Sequence, residues 1–459
     1  MNDLLGKALI VTVAAALAMS LLTDTTYATL GLSLLATAVL VPIACSMRLR
    51  RDLNSLVVSG LIYRHAVAGL VALWILPYYA ARNSADAVWY DSQAGYLAEL
   101  IRAKAWSQIH LNVGSDMVSF VTALSYLPFG PTAGGITFLS GLLGFIGSIC
   151  FVGAAASSLQ GRRLRGYAIL VMMLPSLVFW STLFGKDSWV FCGLGISAFG
   201  IARWLKYHRW SDFLKTLIGL GVVYAFRPHI ALAAVLGLAL TTVVTREHNA
   251  PRSVTKSVTV LLFMALMMHF MWQGLSQVTG LQEVSPESFV TRIVQQGRWT
   301  NEGGSSVEAT EIEGPWGFIS QLPVGAVRLL FRPWPWEATS LSMFVAALDS
   351  AILIGLLVVK WPNVLNTLRR IRSEPFAFFC VVLTIELIVI FSTIPNLGLL
   401  VRQKTQITPF LYLLAFSGNR RVARRHRSTR QNQAADAAWL SQIRGRAHLD
   451  SAGVAASRT

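Results

Sequence analysis

What most constrains this chain is how its apolar residues arrive, in runs of about 18 to 24 positions nearly free of charge. That is the length at which a helix rising 1.5 Å per residue crosses about 30 Å of hydrocarbon. Lipid offers the backbone no hydrogen-bond partners, so such runs fold as helices. Spans are predicted at about 4–22, 27–47, 57–80, 133–157, 167–184, 188–205, 212–226, 230–245, 257–278, 339–359, 376–395 and 405–417. The expected fold is all-α: a polytopic membrane helical bundle of about 12 transmembrane helices with two larger extracytoplasmic loops, at about 81–132 and 279–338. Residues 1–418 form this transmembrane domain and 419–459 a basic cytoplasmic tail. Composition agrees, since 13% of the 459 residues are charged where soluble domains carry about 25%. The first run, with Lys7 before it and Ala18 and Ser20 near its end, also has the makings of a signal peptide.

The formal charge of +17 is first explained by topology, because short cytoplasmic connections collect Lys and Arg. Arg48, Arg50 and Arg51 mark one such turn. Arg162, Arg163 and Arg165 mark the next, followed by Arg203, Lys206 and Arg209, then Arg246, Arg252 and Lys256, then Lys360, Arg369, Arg370 and Arg372. The tail, with Arg420, Arg421, Arg424, Arg425 and Arg427, falls on the same side, too poor in apolar residues to fold alone and suited to contact with anionic lipid. The expected location is the cell inner membrane, multi-pass, with both termini cytoplasmic and no nucleic-acid partner. Cys45, Cys150, Cys192 and Cys380 all lie in apolar runs and read as small hydrophobes.

The opposite side receives both long loops and three tight turns around Lys186, Arg227 and Arg402. The first loop runs through Asp86, Trp89, Tyr90, Asp91 and Tyr96 into a stretch whose Leu97, Leu100, Ile101 and Ala105 recur at helical spacing, which predicts an interfacial helix. Val118 to Phe129 is apolar but too short to cross, so a re-entrant or interfacial segment is expected there.

Basic residues on that side oppose the topological bias and cluster beside helix ends: Lys186, then Arg227-Pro228-His229, then Arg328 and Arg332 with Glu337, then Arg402-Gln403. A guanidinium presents a rigid fork matched to phosphate oxygens, so the set suits a pyrophosphate carried on a membrane lipid. For each Arg alone, the competing account is a side chain that snorkels to the headgroups. Sugar transfer from such a donor also needs a base near the acceptor hydroxyl. Asp91 and Asp86 are the catalytic candidates, set among aromatic residues able to stack on sugar rings, although an Asp in a loop also serves as a turn former or helix cap. Asp349 and Glu386 fall inside spans, where each is expected to find a partner within the bundle. No nucleotide fingerprint or metal-ligand spacing is present, and no cofactor, metal or otherwise, is indicated.

The stretches Leu174-Pro175-Ser176-Leu177-Val178-Phe179-Trp180-Ser181, Gly185-Lys186-Asp187, Arg227-Pro228-His229, Leu330 to Glu337, and Asn396-Leu397-Gly398 before Arg402-Gln403 resemble those of bacterial O-antigen and exopolysaccharide polymerases. More distantly the chain is similar to GT-C-type membrane glycosyltransferases. The resemblance covers about 80–410 and implies glycan transfer from an undecaprenyl-pyrophosphate carrier on the extracytoplasmic face, alongside other polysaccharide assembly proteins. It implies that Asp91 stands where GT-C enzymes carry an acidic loop residue, and Arg227, Arg332 and Arg402 where the polymerases carry external arginines. Many GT-C enzymes have paired acids after the first span; here two spans precede Tyr63 and no such pair follows the first. A transporter or flippase of lipid-linked oligosaccharide and a non-enzymatic scaffold are the alternatives.

Overall fold

The computed structural model describes residues 53–82, 86–245, 314–338 and 340–418, with isolated helical positions between 262 and 295. The predicted spans at 4–22 and 27–47, most of 257–278, the beginning of the 279–338 loop and the tail lie outside the described residues. Within them every regular element is a helix. The chain runs through α1 (Asn54–Ala80), α2 (Asp86–Arg102), α3 (Ser115–Phe129), α4 (Ala133–Ala155), α5 (Gly161–Met173), α6 (Pro175–Trp180) and α7 (Lys186–Tyr207). It continues through α8 (Trp210–Phe226), α9 (Pro228–Val244), α10 (Gly314–Phe331), α11 (Leu341–Val359), α12 (Trp361–Arg369), α13 (Pro375–Phe391) and α14 (Leu397–Phe416).

Helices α1, α4, α7 and α11 are long and apolar enough to cross a membrane, and α9, α13 and the Trp316–Phe331 part of α10 are shorter apolar helices. This is the architecture of a membrane protein. Burial separates the long helices: 94% of the apolar window of α4 is inside the bundle and only 33% of that of α11. Helix α4 is therefore the hub, while α11 turns Leu341, Phe344, Leu348 and Ile352 outward. The hub packs on α7 through glycine, since a Cβ on Gly195 would sit 2.8 Å from the Cα of Gly147. Small residues at the seam let two backbones approach, which is how helices gain contact when lipid is as apolar as Leu.

Two departures from the sequence expectation, at 167–184 and at the end of the 279–338 loop, fall within the described residues. The predicted span 167–184 is broken into α5 and α6, because Leu174 is extended (φ −65, ψ 122) before Pro175; a residue preceding proline avoids the α region. The N–H of Ser176, left without a helical partner, donates to Asp349 Oδ2 at 2.7 Å. Within the predicted loop at 81–132, the stretch expected as a helix is α2 and the short apolar segment from Val118 is part of α3, and the two pack on each other. The last part of the 279–338 loop is α10, whose Gly325 lies against Ser392 of the segment following α13.

Candidate functional site

One end of the bundle gathers charges from four distant parts of the chain. Asp187, in the first turn of α7, is only 3% exposed. Its Oδ1 accepts from Arg227 Nη2 at 2.6 Å and its Oδ2 from Arg402 Nε at 2.9 Å. Two guanidinium groups thus share one buried carboxylate. Arg227 is placed by the Arg-Pro junction between α8 and α9, where its extended backbone (φ −147) precedes Pro228. Its Nη1 donates to Gln403 Oε1. Arg402 stands in the second turn of α14, donates from Nη1 to Asp86 Oδ2 at 3.3 Å, and lies 5.7 Å from the ring centre of Trp180.

Lys186 adds a third cation beside this group. Its Nζ is 3.8 Å from where a Cβ on Gly114 would stand, and Gly114 is fixed by its N–H donating to Ala225 O at 2.8 Å. Gly114 has φ +110, so glycine is suited to the position. Three cations, Lys186, Arg227 and Arg402, face two carboxylates, Asp86 and Asp187, leaving one positive charge in excess. Asp86 is the open side of the group, its side chain 61% exposed while that of Asp187 is 4% exposed. His229 is the second residue of α9, two beyond Arg227, with its ring 6.1 Å from that of Phe391.

The other predicted residues fall into separate groups. Arg332 grips Glu337 with two donors, Nε to Oε2 at 3.0 Å and Nη2 to Oε1, and the Trp334 N–H adds a bond to Oε2 at 2.9 Å. Burial alone would raise the Glu337 carboxyl, but the Arg332 fork and the Trp334 N–H hold it below its ordinary range. Trp334 and Trp336 stack at 5.6 Å beside this pair. Arg328 lies one turn before Arg332, with its buried Nε unpartnered. The Arg332 carbonyl accepts from Lys404 Nζ at 3.1 Å, and that ammonium also donates to Ser350 Oγ at 2.6 Å. Residues two apart on a helix diverge by about 200°, so Arg402 and Lys404 serve opposite sides of α14. Among the described residues, Arg332 shares no hydrogen-bonding partner with Arg227 or Arg402.

Asp91 stands five residues beyond Asp86 on α2, turned about 140° around the helix. Its Oδ1 accepts from the hydroxyl of Tyr126, a fully buried residue of α3. Among the described residues its other oxygen takes no hydrogen bond. Tyr90, its neighbour, packs 6.1 Å from Phe184, while Trp89 and Tyr96 are exposed at 47% and 58% and leave open aromatic faces.

Two features escaped the sequence reading. Asp187 was seen only as the neighbour of Lys186, yet it is the anchor of the cluster. Arg64, inside α1, is 1% exposed, and its hydrogen bonds go to hydroxyls: Ser181 Oγ and Ser148 Oγ at 2.7 Å each, and Thr182 Oγ1 at 3.4 Å, with the guanidinium 6.0 Å from the ring centre of Phe191. It ties α1 and α4 to the turn that leads to Lys186 and Asp187. A lone Arg in an apolar run with no acid near it in sequence was the available signal. The expected partner is met for Asp349 by the Ser176 N–H, but among the described residues Glu386 has no hydrogen-bond partner. Among the described residues, no group of three or more His, Cys, Asp and Glu is placed to hold a metal ion.

No protein family, curated protein or solved structure matches the chain. Its chemistry must therefore be argued from its own residues.

Proposed function

We propose that this protein is a membrane glycosyltransferase of the polysaccharide-polymerase kind, moving glycan from an undecaprenyl-pyrophosphate donor on the extracytoplasmic face of the inner membrane. One observation carries the proposal: Arg227, Arg402 and Lys186 converge at one end of the bundle around a carboxylate they outnumber. An excess cation held by buried partners is preorganised for an anion, and guanidinium forks fit pyrophosphate oxygens. The far end of α7 supports the orientation. Lys186 and Arg203 stand on opposite ends of a 22-residue helix, about 33 Å long at 1.5 Å per residue. The last turn of α7 carries Lys206 and the connection after it Arg209, so in this proposal the positive-inside rule puts that end in the cytoplasm and the Asp187 cluster outside.

In this proposal Arg402 and Arg227 hold the donor phosphates and stabilise the charge that develops on the leaving group. Asp86, open to solvent and paired with Arg402, gives way to the phosphate as the donor docks. Asp91 is the base. Tyr126 holds one carboxylate oxygen, and the free oxygen accepts the proton of the acceptor hydroxyl as it attacks the anomeric carbon. The exposed rings of Trp89 and Tyr96 offer apolar faces on which sugars stack.

The test is a purified protein given a synthetic pyrophosphate-linked oligosaccharide. Longer glycan chains are expected from the native protein and far fewer from Arg402→Ala. Donor binding with no chain growth under any acceptor condition would reject the transferase. Transport of lipid-linked oligosaccharide is a second reading, favoured by the charged groups deep in the bundle at Arg64, Asp349 and Lys404. It predicts that labelled donor crosses vesicle membranes containing the protein without being lengthened.

A further inference from the structure

We propose that Glu386 is a proton-binding site, a neutral carboxylic acid held in the apolar seam between α9 and α13 and separate from the Asp187 cluster. Both of its carboxyl oxygens are buried and neither has a hydrogen-bond partner. The facing position on α9 is Gly237, where a Cβ would come within 3.1 Å of Glu386 Oε2, 3.6 Å of Phe379 and 3.6 Å of Val382. The Gly237 carbonyl is already engaged, accepting from Thr241 Oγ1 at 2.7 Å. Glycine thus makes room for a carboxyl group but brings it no donor, and the other two atoms close to that position, on Phe379 and Val382, are hydrocarbon.

Among the described residues, no charged or titratable group on the elements packed around α13, including Arg372 in the turn before it and Glu374 at its N-cap, pairs with Glu386. On α9, His229 lies against Phe391, two turns along from Gly237. On α14, Lys404 donates to Ser350 and to the Arg332 carbonyl, and the Tyr412 hydroxyl is buried without a partner. Arg328 of α10 follows Gly325, which faces Ser392 rather than Glu386. Asp187, at the start of α7, is held by Arg227 and Arg402. On α13 itself Cys380 is buried, one residue from Phe379. None of these forms an ion pair or hydrogen bond with Glu386.

Among the described residues an ionised carboxylate in this place finds no counter-charge, its oxygens are buried, and groups so placed neutralise instead. A metal ion is a poor alternative occupant, because it needs several oxygen ligands and this seam supplies only the one carboxyl. The ligand is therefore the proton. Its loss would place an anion between α9 and α13 and require the seam to open to water or to a cation. That makes the packing of these two helices depend on a single protonation event.

A carbodiimide distinguishes these states. The acid proton passes to a carbodiimide nitrogen as the carboxylate oxygen bonds to the central carbon, and the acyl group then migrates to nitrogen. The product is a stable acylurea with no atom lost. Native protein in membrane vesicles is treated with dicyclohexylcarbodiimide or with a water-soluble carbodiimide, from pH 6 to pH 10, and the peptide containing Glu386 is followed by mass spectrometry. The expected result is modification by the lipid-soluble reagent alone, diminishing at alkaline pH, and absent in Glu386→Gln. Equal modification by the water-soluble reagent would show a hydrated carboxyl and overturn the proposal, and so would failure of the lipid-soluble reagent at every pH. Because the decisive measurement uses the native chain, poor folding of the variant does not blunt it. The outcome is also independent of whether the protein transfers glycan.

Discussion

Helix α7 has an aspartate cluster at each end, and the two are built from the same chemistry to different purposes. At one end Asp212, fully buried, accepts from Arg203 Nε at 2.9 Å and from Lys215 Nζ at 2.7 Å. At the other, Asp187 accepts from Arg227 and Arg402 at 2.6 and 2.9 Å. The cations of Asp212 lie nine and three residues away and keep 32% and 40% of their side chains exposed. The cations of Asp187 lie 40 and 215 residues away, and their exposures are 9% and 21%. The first is a clamp that closes one helical hairpin. The second binds α7, the α8–α9 turn and α14 into one assembly, and its charges have little water to fall back on. Distance in sequence and access to water, rather than pairing geometry, separate a local brace from a candidate site.

The comparison is broken most severely at Asp187. Asp187→Asn leaves two guanidiniums buried around a neutral group, and removing one partner of a buried ion pair costs about 3–5 kcal/mol. A large drop in thermal stability in detergent is expected, whereas Asp212→Asn should cost about 1 kcal/mol, the scale of pairs whose cations can rehydrate. Equal losses at the two ends would remove the distinction. Next in size is Arg402→Ala, for which glycan transfer should fall about 10²- to 10³-fold, the effect of losing one preorganised donor. Arg402→Lys should recover only part, since an ammonium lacks the fork; titration calorimetry with inorganic pyrophosphate gives the binding component separately.

A smaller expected effect tests how the roles divide along α2. Asp91→Asn should lower turnover about 10²-fold, at the lower range for general-base catalysis, with donor binding preserved. If binding and turnover fall together, Asp91 positions the donor and is not the base. The smallest effect belongs to Asp86→Asn, because that carboxylate is largely solvated. A stability change within about 1 kcal/mol is expected, together with tighter pyrophosphate binding at low salt, since a competing negative charge has gone.

How much of this was legible in sequence varied with the range of the interaction. The four helices long enough to cross a membrane fall on predicted spans, because span length and hydropathy are properties of contiguous residues. Arg227 and Arg402 stood out because cations beside helix ends on the expected outer side lacked a topological reason. Asp187 could not be ranked in the same way. An acid in the first turn of a helix has an ordinary explanation in the helix dipole, and only the fold reveals cations arriving from 40 and 215 residues away. Helix α2 was anticipated as amphipathic from Leu97, Leu100 and Ile101, yet its buried face is Ala87, Tyr90, Ala94, Ala98 and Ile101. Small residues mark a closely packed seam that a search for large apolar side chains passes over. The break at Pro175 was written in the sequence, but the hydropathy of the whole run outweighed it.

Residues 402 to 404 of α14 each turn to a different neighbour: Arg402 to Asp187, Gln403 to Arg227, and Lys404 to Ser350 and the Arg332 carbonyl. A single inserted or deleted residue between Asn396 and Arg402 would rotate this triplet by about 100° and misdirect all three at once. Related chains can therefore exchange side chains freely on the outer face of this helix, while the length of the segment from Asn396 to Lys404 should stay fixed. A gap in that segment would be a better sign of lost function than any single substitution around it.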